Sequence, residues 1–233
     1  MKKISAIIPA AGIGSRFGEA KQFKLLDGIP LLFHSLKIFL SSNIIKEIVL
    51  VISEDQIEFI RYNLNSIDST KPIIVVSGGP RRQDSVKNGL NATFSSANLI
   101  CVHDAARPFV TENLIEKSIF ASRNCDGAVL ALPIRDTVKL EENNLVKKTL
   151  DRSLIWLTQT PQTFKRDKLI LAFDNAEKNN ITGTDESVLM EAMGFPIALV
   201  QGNSNNFKIT TKNDWERAEH YCIYRSKIKE KID

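Results

Sequence analysis

Short apolar runs alternate with amphipathic stretches along most of the chain. Ile4-Ser5-Ala6-Ile7-Ile8, Ile48 to Ile52, Ile73 to Val76, Leu99 to Val102, Gly127 to Leu132 and Ile197 to Val200 have the length of strands and read as buried on both faces. Helical spacing fills the gaps. Pro30 can open a helix with Leu32, Phe33, Leu36 and Leu40 on its apolar side, and Ser53 or Asp55 can cap one carrying Ile57, Ile60 and Leu64. Further helices are predicted around Val86 and Leu90, over Thr111 to Arg123, from Lys165 to Lys178, over Val188, Leu189 and Met193, and after Thr211 or Asn213. This βα alternation predicts an α/β fold with a mostly parallel, doubly wound sheet. Ligands on such sheets collect at the carboxyl ends of the strands.

The alternation breaks after Pro133. Arg135 to Leu140 and Leu145 to Leu150 are β-prone runs around Glu141-Glu142-Asn143-Asn144, so residues 134–152 read as a hairpin projecting from the core. An isolated ribbon is marginal, and packing it on a second copy predicts a homodimer. Trp156 and Thr158 to Phe164 return the chain to the core. Asn205 to Thr210 reads as an extended segment holding Lys208, which could equally be a solvated edge lysine. The basic tail after Tyr224 is expected to fray. No repeat or linker divides the chain, so a single domain over 1–233 is expected.

Composition narrows the partners. With 233 residues, 43% of them hydrophobic, and a formal charge of +4, the chain is an ordinary globular protein. Its aromatics are not interleaved with basic clusters, which gives no case for nucleic acid. Cys101, Cys125 and Cys222 match no metal spacing and are odd in number, which fits a reducing cytoplasm. Met1-Lys2-Lys3 leads straight into a strand, and no run approaches the roughly 18 apolar residues of a membrane span.

The candidate chemistry sits at the strand ends. After the first strand, Pro9-Ala10-Ala11-Gly12-Ile13-Gly14-Ser15-Arg16-Phe17-Gly18 is a small-residue loop whose N–H groups can approach a polyphosphate, and Arg16 and Lys21 add full positive charges. Phe17 and Glu19 stand where a dinucleotide fingerprint or a P-loop would need Gly or Lys. The third strand delivers Gly78-Gly79-Pro80-Arg81-Arg82-Gln83-Asp84-Ser85, and the fourth His103-Asp104-Ala105-Ala106-Arg107-Pro108. Taken singly, Gly78-Gly79 could be a turn, and Asp84, Ser85 or Asp104 a helix cap. Asp104 also has the hard oxygens that Mg²⁺ requires, whereas its strand neighbour His103 should point the other way. Asp185 is either a cap or a second metal ligand.

These segments, in this order, resemble the 2-C-methyl-D-erythritol 4-phosphate cytidylyltransferases. The resemblance extends through Arg135-Asp136-Thr137, Asp151-Arg152, Thr160-Pro161-Gln162, Thr184-Asp185-Glu186 and Lys208-Ile209-Thr210, and so includes the hairpin. Ribitol 5-phosphate cytidylyltransferases look similar, but more often carry Val where this chain has Ala106.

The resemblance implies a Rossmann-like nucleotidyltransferase that moves a cytidylyl group from CTP, with Mg²⁺, to methylerythritol phosphate in non-mevalonate isoprenoid synthesis. Ala10, Ala11, Gly12 and Gly14 would line the phosphates, and Arg16 and Lys21 would stabilise the pentavalent α-phosphate. Gly79, Arg82 and Ser85 would frame the cytosine and ribose, and Asp104 would help hold the metal. Thr137, Arg152 and Lys208 would face the sugar phosphate, the first two from the neighbouring subunit's arm, and Arg107 is similar in position to a substrate contact. Two departures stand out: Pro80 replaces an Asp found in some members, and Asn205 stands near where a carboxylate is often found.

Overall fold

The computed structural model describes residues 3–12, 14 and 17–229. The first half of the chain runs through β1 (Ile4–Pro9), β2 (Leu25–Leu26), β3 (Ile29–Pro30), α1 (Leu31–Ser41), β4 (Glu47–Ile52), α2 (Ile57–Leu64), β5 (Ile73–Ser77) and α3 (Arg82–Ala92). It continues through β6 (Leu99–Val102), α4 (Glu112–Ala121), β7 (Gly127–Pro133), β8 (Val138–Glu142) and β9 (Leu145–Leu150). The last stretch comprises β10 (Trp156–Lys165), α5 (Arg166–Lys178), α6 (Glu186–Glu191), β11 (Ile197–Gln201) and α7 (Lys212–Lys229).

Among the described residues the main sheet has the order β11-β7-β10-β6-β1-β4-β5. β1 pairs in parallel with β4 and β6, β4 with β5, and β7 with β11. Alternation along the strands then sorts the core into two layers. Ile4, Ala6 and Ile8 of β1 pack with Leu32, Leu36 and Phe39 of α1 and Leu114, Ile115 and Ile119 of α4. Ile7, between them, faces the opposite way, toward Val86 and Leu90 of α3 and Leu169 and Phe173 of α5. Helices therefore cover both faces, as the βα pattern requires. α7 closes a third cluster, in which Trp215 and Ala218 meet Phe17, Leu31, Phe109 and Ile209.

The chain leaves β1 toward β4 and β5, then returns past it to β6. The switch point, where ligands gather in such sheets, thus lies between the ends of β1 and β6.

Three elements depart from the sequence expectation. β10 is a ten-residue strand that runs antiparallel between β6 and β7. Its Thr and Gln residues and Pro161 hide it from a hydrophobic pattern, and its register shifts between Thr158 and Gln162, where Pro is tolerated. Residues 205–210 form no strand; the segment is pinned instead by Ile209 N–H donating to the Ala106 carbonyl at 2.8 Å. α7 continues past Tyr224 to Lys229, because Arg225 and Lys227 are good helix formers that favour the negative end of the helix dipole.

The hairpin forms where expected. β8 and β9 make a separate antiparallel pair, with Asn143 and Asn144 at positive φ in its turn.

Candidate active site

The ends of β1, β5 and β6 and the 203–211 segment enclose a cavity of about 510 Å³. Its lining includes Ala10, Ala11, Gly12, Gly14 and Lys21 from the first loop, and Gly79, Pro80, Arg82 and Ser85 from the second. Asp104 and Ala106 come from the third and Lys208 from the fourth. The glycine loop has the backbone its sequence promised. Gly14 sits at φ +69°, where an added Cβ would collide with the Glu19 carbonyl oxygen. Gln22 ties the loop down, its Nε2 donating to the Gly12 carbonyl at 3.0 Å. A Cβ on Gly78 would run into that of Ala11, so glycine lets the first and second loops touch. Ser85 Oγ accepts from Gly79 N–H at 3.1 Å and fixes the second loop on the first turn of α3.

Asp104 is the electrostatic centre. Arg82 Nε donates to its Oδ1 at 3.0 Å, Lys208 Nζ lies 2.8 Å from Oδ2, and Arg107 Nε stands 3.9 Å away. Burial alone would push the Asp104 carboxyl up, but Arg82, Lys208 and Arg107 outweigh it and hold the group well below the usual carboxylate range. Its backbone N–H donates to Thr160 Oγ1 at 3.0 Å, so β10 sets the strand end as well.

Arg107 is placed beneath the cavity rather than on its wall. Its Nη1 donates to the Asn206 carbonyl at 2.8 Å and its Nη2 to the Thr158 carbonyl at 3.3 Å, which joins β10 to the segment that carries Lys208. His103 is fully buried, with Nε2 3.1 Å from the Arg107 carbonyl and Nδ1 3.1 Å from Thr160 Oγ1. Burial pulls its pKa down to about 4, so the ring is neutral and structural. Among the described residues the cavity wall holds no His or Cys that could exchange a proton near neutral pH. Asp185 is a cap, accepting from Val188 N–H at the start of α6. Arg16 lies outside the described residues.

Charge and backbone donors around one polyanion-sized cavity describe a nucleotide site, and comparison identifies which kind. The family model described as IspD, 2-C-methyl-D-erythritol 4-phosphate cytidylyltransferase, matches residues 4–223. The chain belongs to the 2-C-methyl-D-erythritol 4-phosphate cytidylyltransferase family. A relative of that name from Halalkalibacterium halodurans is 41% identical over 217 residues, 92% of this chain and 95% of the relative. Another, from Geobacter metallireducens, is 38% identical over 235 residues, 98% of this chain and 99% of the relative. The crystal structure of a 4-diphosphocytidyl-2C-methyl-D-erythritol synthase from Anaerococcus prevotii superposes with a TM-score of 0.85 at 32% identity, covering 95% of this chain and 98% of that one.

Within this family member, one chain does not bring all the candidate residues together. Thr137 and Arg152 are exposed and do not line the cavity; Arg152 Nη1 donates instead to the Arg135 carbonyl at 2.8 Å, at the base of the hairpin. Two participants had been given no role by sequence reasoning. Asn206, fully buried, donates from Nδ2 to the Thr160 carbonyl at 2.8 Å and so fixes the segment bearing Lys208. Glu186, 1% exposed, meets Arg82 Nη1 at 2.7 Å from the far side.

Proposed function

We infer that this chain is an enzyme that transfers the cytidylyl group of CTP to 2-C-methyl-D-erythritol 4-phosphate, releasing pyrophosphate and forming 4-diphosphocytidyl-2-C-methyl-D-erythritol for isoprenoid synthesis. The observation that carries the reading is the convergence of Lys21, Arg82, Asp104 and Lys208 on the glycine-loop cavity of a chain matched over nearly its whole length to this family. The names of its relatives favour methylerythritol phosphate over ribitol 5-phosphate as acceptor.

The chemistry suits the wall. The attacking phosphate oxygen is already an anion, so the absence of a titrating His or Cys among the described wall residues is no obstacle; the task is to align two polyanions and neutralise the charge that develops. Backbone N–H groups of Ala11, Gly12 and Gly14 would receive the triphosphate, Gly79, Arg82 and Ser85 the nucleoside. Lys21, with Arg16 beside it in sequence, would stabilise the pentavalent phosphorus and the leaving pyrophosphate. Lys208 would orient the acceptor phosphate, and Arg107 would act from below by holding the Lys208 segment.

Magnesium fits as a companion of the nucleotide. A Mg²⁺ ion resting mainly on phosphate oxygens needs one or two carboxylates, and Asp104 is the carboxylate on the described wall. No group of three or more His, Cys, Asp or Glu among the described residues is placed to hold a metal unaided. Asp104 would hold the ion, whose contribution is to offset triphosphate charge.

The whole chain is read as one catalytic unit with residues 134–152 as a dimerisation arm. Leu145 and Val146 are 73% and 65% exposed on the ribbon, which supports a homodimer in which Thr137 and Arg152 serve the neighbouring cavity. The unpaired thiols among the described residues agree with a cytoplasmic location. No described helix is long and apolar enough to cross a membrane.

Pyrophosphate release from CTP and Mg²⁺, with the two acceptors offered separately, tests the reading. Release with methylerythritol phosphate alone is expected; release only with ribitol 5-phosphate would move the enzyme to polyol metabolism.

A further inference from the structure

Glu186 opens α6, on the far side of Arg82 from the cavity. Its carboxylate is 1% exposed, Oε1 lies 2.7 Å from Arg82 Nη1, and Oε2 is buried without a hydrogen-bond partner. Such a group is a poor device for stability alone, since a buried ion pair is often matched or bettered by apolar residues of the same volume. What it does achieve is directional. A guanidinium has five donors in a fixed plane, and with Nη1 taken from behind, Nε donates to Asp104 Oδ1 at 3.0 Å, while Nη2 lies 3.0 Å from the same oxygen without a hydrogen bond of its own.

The surrounding contacts make this a joint between two parts of the chain. Arg81 Nη1 donates to Thr182 Oγ1 at 3.1 Å, and Gln83 both donates to the Ile181 carbonyl at 3.2 Å and accepts from Gly183 N–H at 3.0 Å. Asp185, the residue before Glu186, accepts from Gln162 Nε2 of β10 at 2.8 Å. The 181–186 segment therefore grips the first turn of α3 directly behind the Gly79-Pro80 loop. It does so without lining the cavity itself.

We propose that Glu186 is a positioning residue for the nucleotide subsite, acting through Arg82: it holds the guanidinium against Asp104, in the orientation from which it frames the nucleoside on the cavity wall. The inference rests on the reading of that cavity as the CTP site.

The test is CTP binding with Mg²⁺, by calorimetry, to the full chain and to Glu186→Ala, Glu186→Gln, Arg82→Ala and the Arg82→Ala/Glu186→Ala double variant, with thermal unfolding of each. Glu186→Ala should weaken binding by about tenfold or more, the scale of a charge-assisted hydrogen bond. Glu186→Gln, whose amide oxygen still accepts from Arg82 Nη1, should stay within about threefold of the parent. In the Arg82→Ala background, removal of Glu186 should cost less than about twofold, since nothing remains for it to orient. A merely structural role would lower the melting temperature of both Glu186 variants and leave the dissociation constant of the folded protein unmoved, and that result overturns the proposal. So does an undiminished effect in the Arg82→Ala background. Should Glu186→Ala not fold, Glu186→Asp, which withdraws the carboxylate by one methylene, must show the tenfold loss. A parent protein that binds CTP but releases no pyrophosphate with either acceptor defeats the functional reading and leaves the binding cycle intact; a parent that does not bind CTP defeats both.

Discussion

Lys208 Nζ and Asp104 Oδ2 lie 2.8 Å apart, yet the two ends of this pair are unequally buried: the lysine side chain is 36% exposed and the carboxylate 10%. The asymmetry separates their roles. Asp104 answers Arg82 and Arg107 as well, so Asp104→Asn would leave those largely buried cations without their shared carboxylate, a loss of about 3 kcal/mol in urea unfolding. Lys208→Ala breaks only the solvent-facing half and should cost less than about 1 kcal/mol. Turnover should nonetheless fall by about 100-fold, because Lys208 is the cavity cation assigned to the acceptor phosphate. Equal stability losses in the two variants would show that Lys208 is part of the scaffold rather than of the reaction.

Lys21 is assigned to the transferred phosphoryl group, and its replacement should be read in kcat. Lys21→Ala should lower kcat by about 100-fold or more. A change confined to KM for CTP would mean that the residue only binds.

His103 gives the free chain a pH-dependent term of known sign. Burial lowers its folded pKa to about 4 from an ordinary 6.5, so between these values the unfolded chain binds the extra proton and stability falls as pH falls. No stability is lost to this group above pH 6.5, and the loss reaches a few kcal/mol once pH has dropped through the folded value. Denaturant midpoints taken at pH 7 and pH 4.5 should therefore differ less in His103→Gln than in the parent.

Much of this architecture was legible because the responsible physics is local. Apolar runs in β1, β4, β5, β6, β7 and β11 and the cap at Thr111, whose side chain accepts from Leu114 N–H, follow from residues a few positions apart. Gly14 likewise announced its loop. β10 did not, since Thr160 and Thr163 make buried hydrogen bonds that exist only after β6 and α4 are in place: Thr163 Oγ1 lies 2.6 Å from Ser118 Oγ, and Thr160 Oγ1 receives Asp104 N–H. Glu186 and Arg82 are 104 residues apart, and no spacing rule reaches that far. The site was readable as an inventory of charges, and the order in which they brace one another was not.

The placement of Thr137 and Arg152 yields the strictest test of the arm. In a single chain Arg152 is exposed at the hairpin base and does not line the cavity, so its effect on turnover must come through the neighbouring site if the homodimer reading holds. Lys21→Ala and Arg152→Ala each damage both sites of their own dimer. When the two variants are mixed and allowed to exchange subunits, a mixed dimer places both lesions in one cavity and leaves the other complete. Random exchange at equal concentrations makes half the dimers mixed, with one good site in two, so activity should recover to about a quarter of the parent value. If Arg152 instead folds back to its own cavity, every site carries a lesion and mixing recovers nothing. Sedimentation of each variant as a dimer at micromolar concentration is the accompanying control, and a monomeric mass would remove the arm from the mechanism.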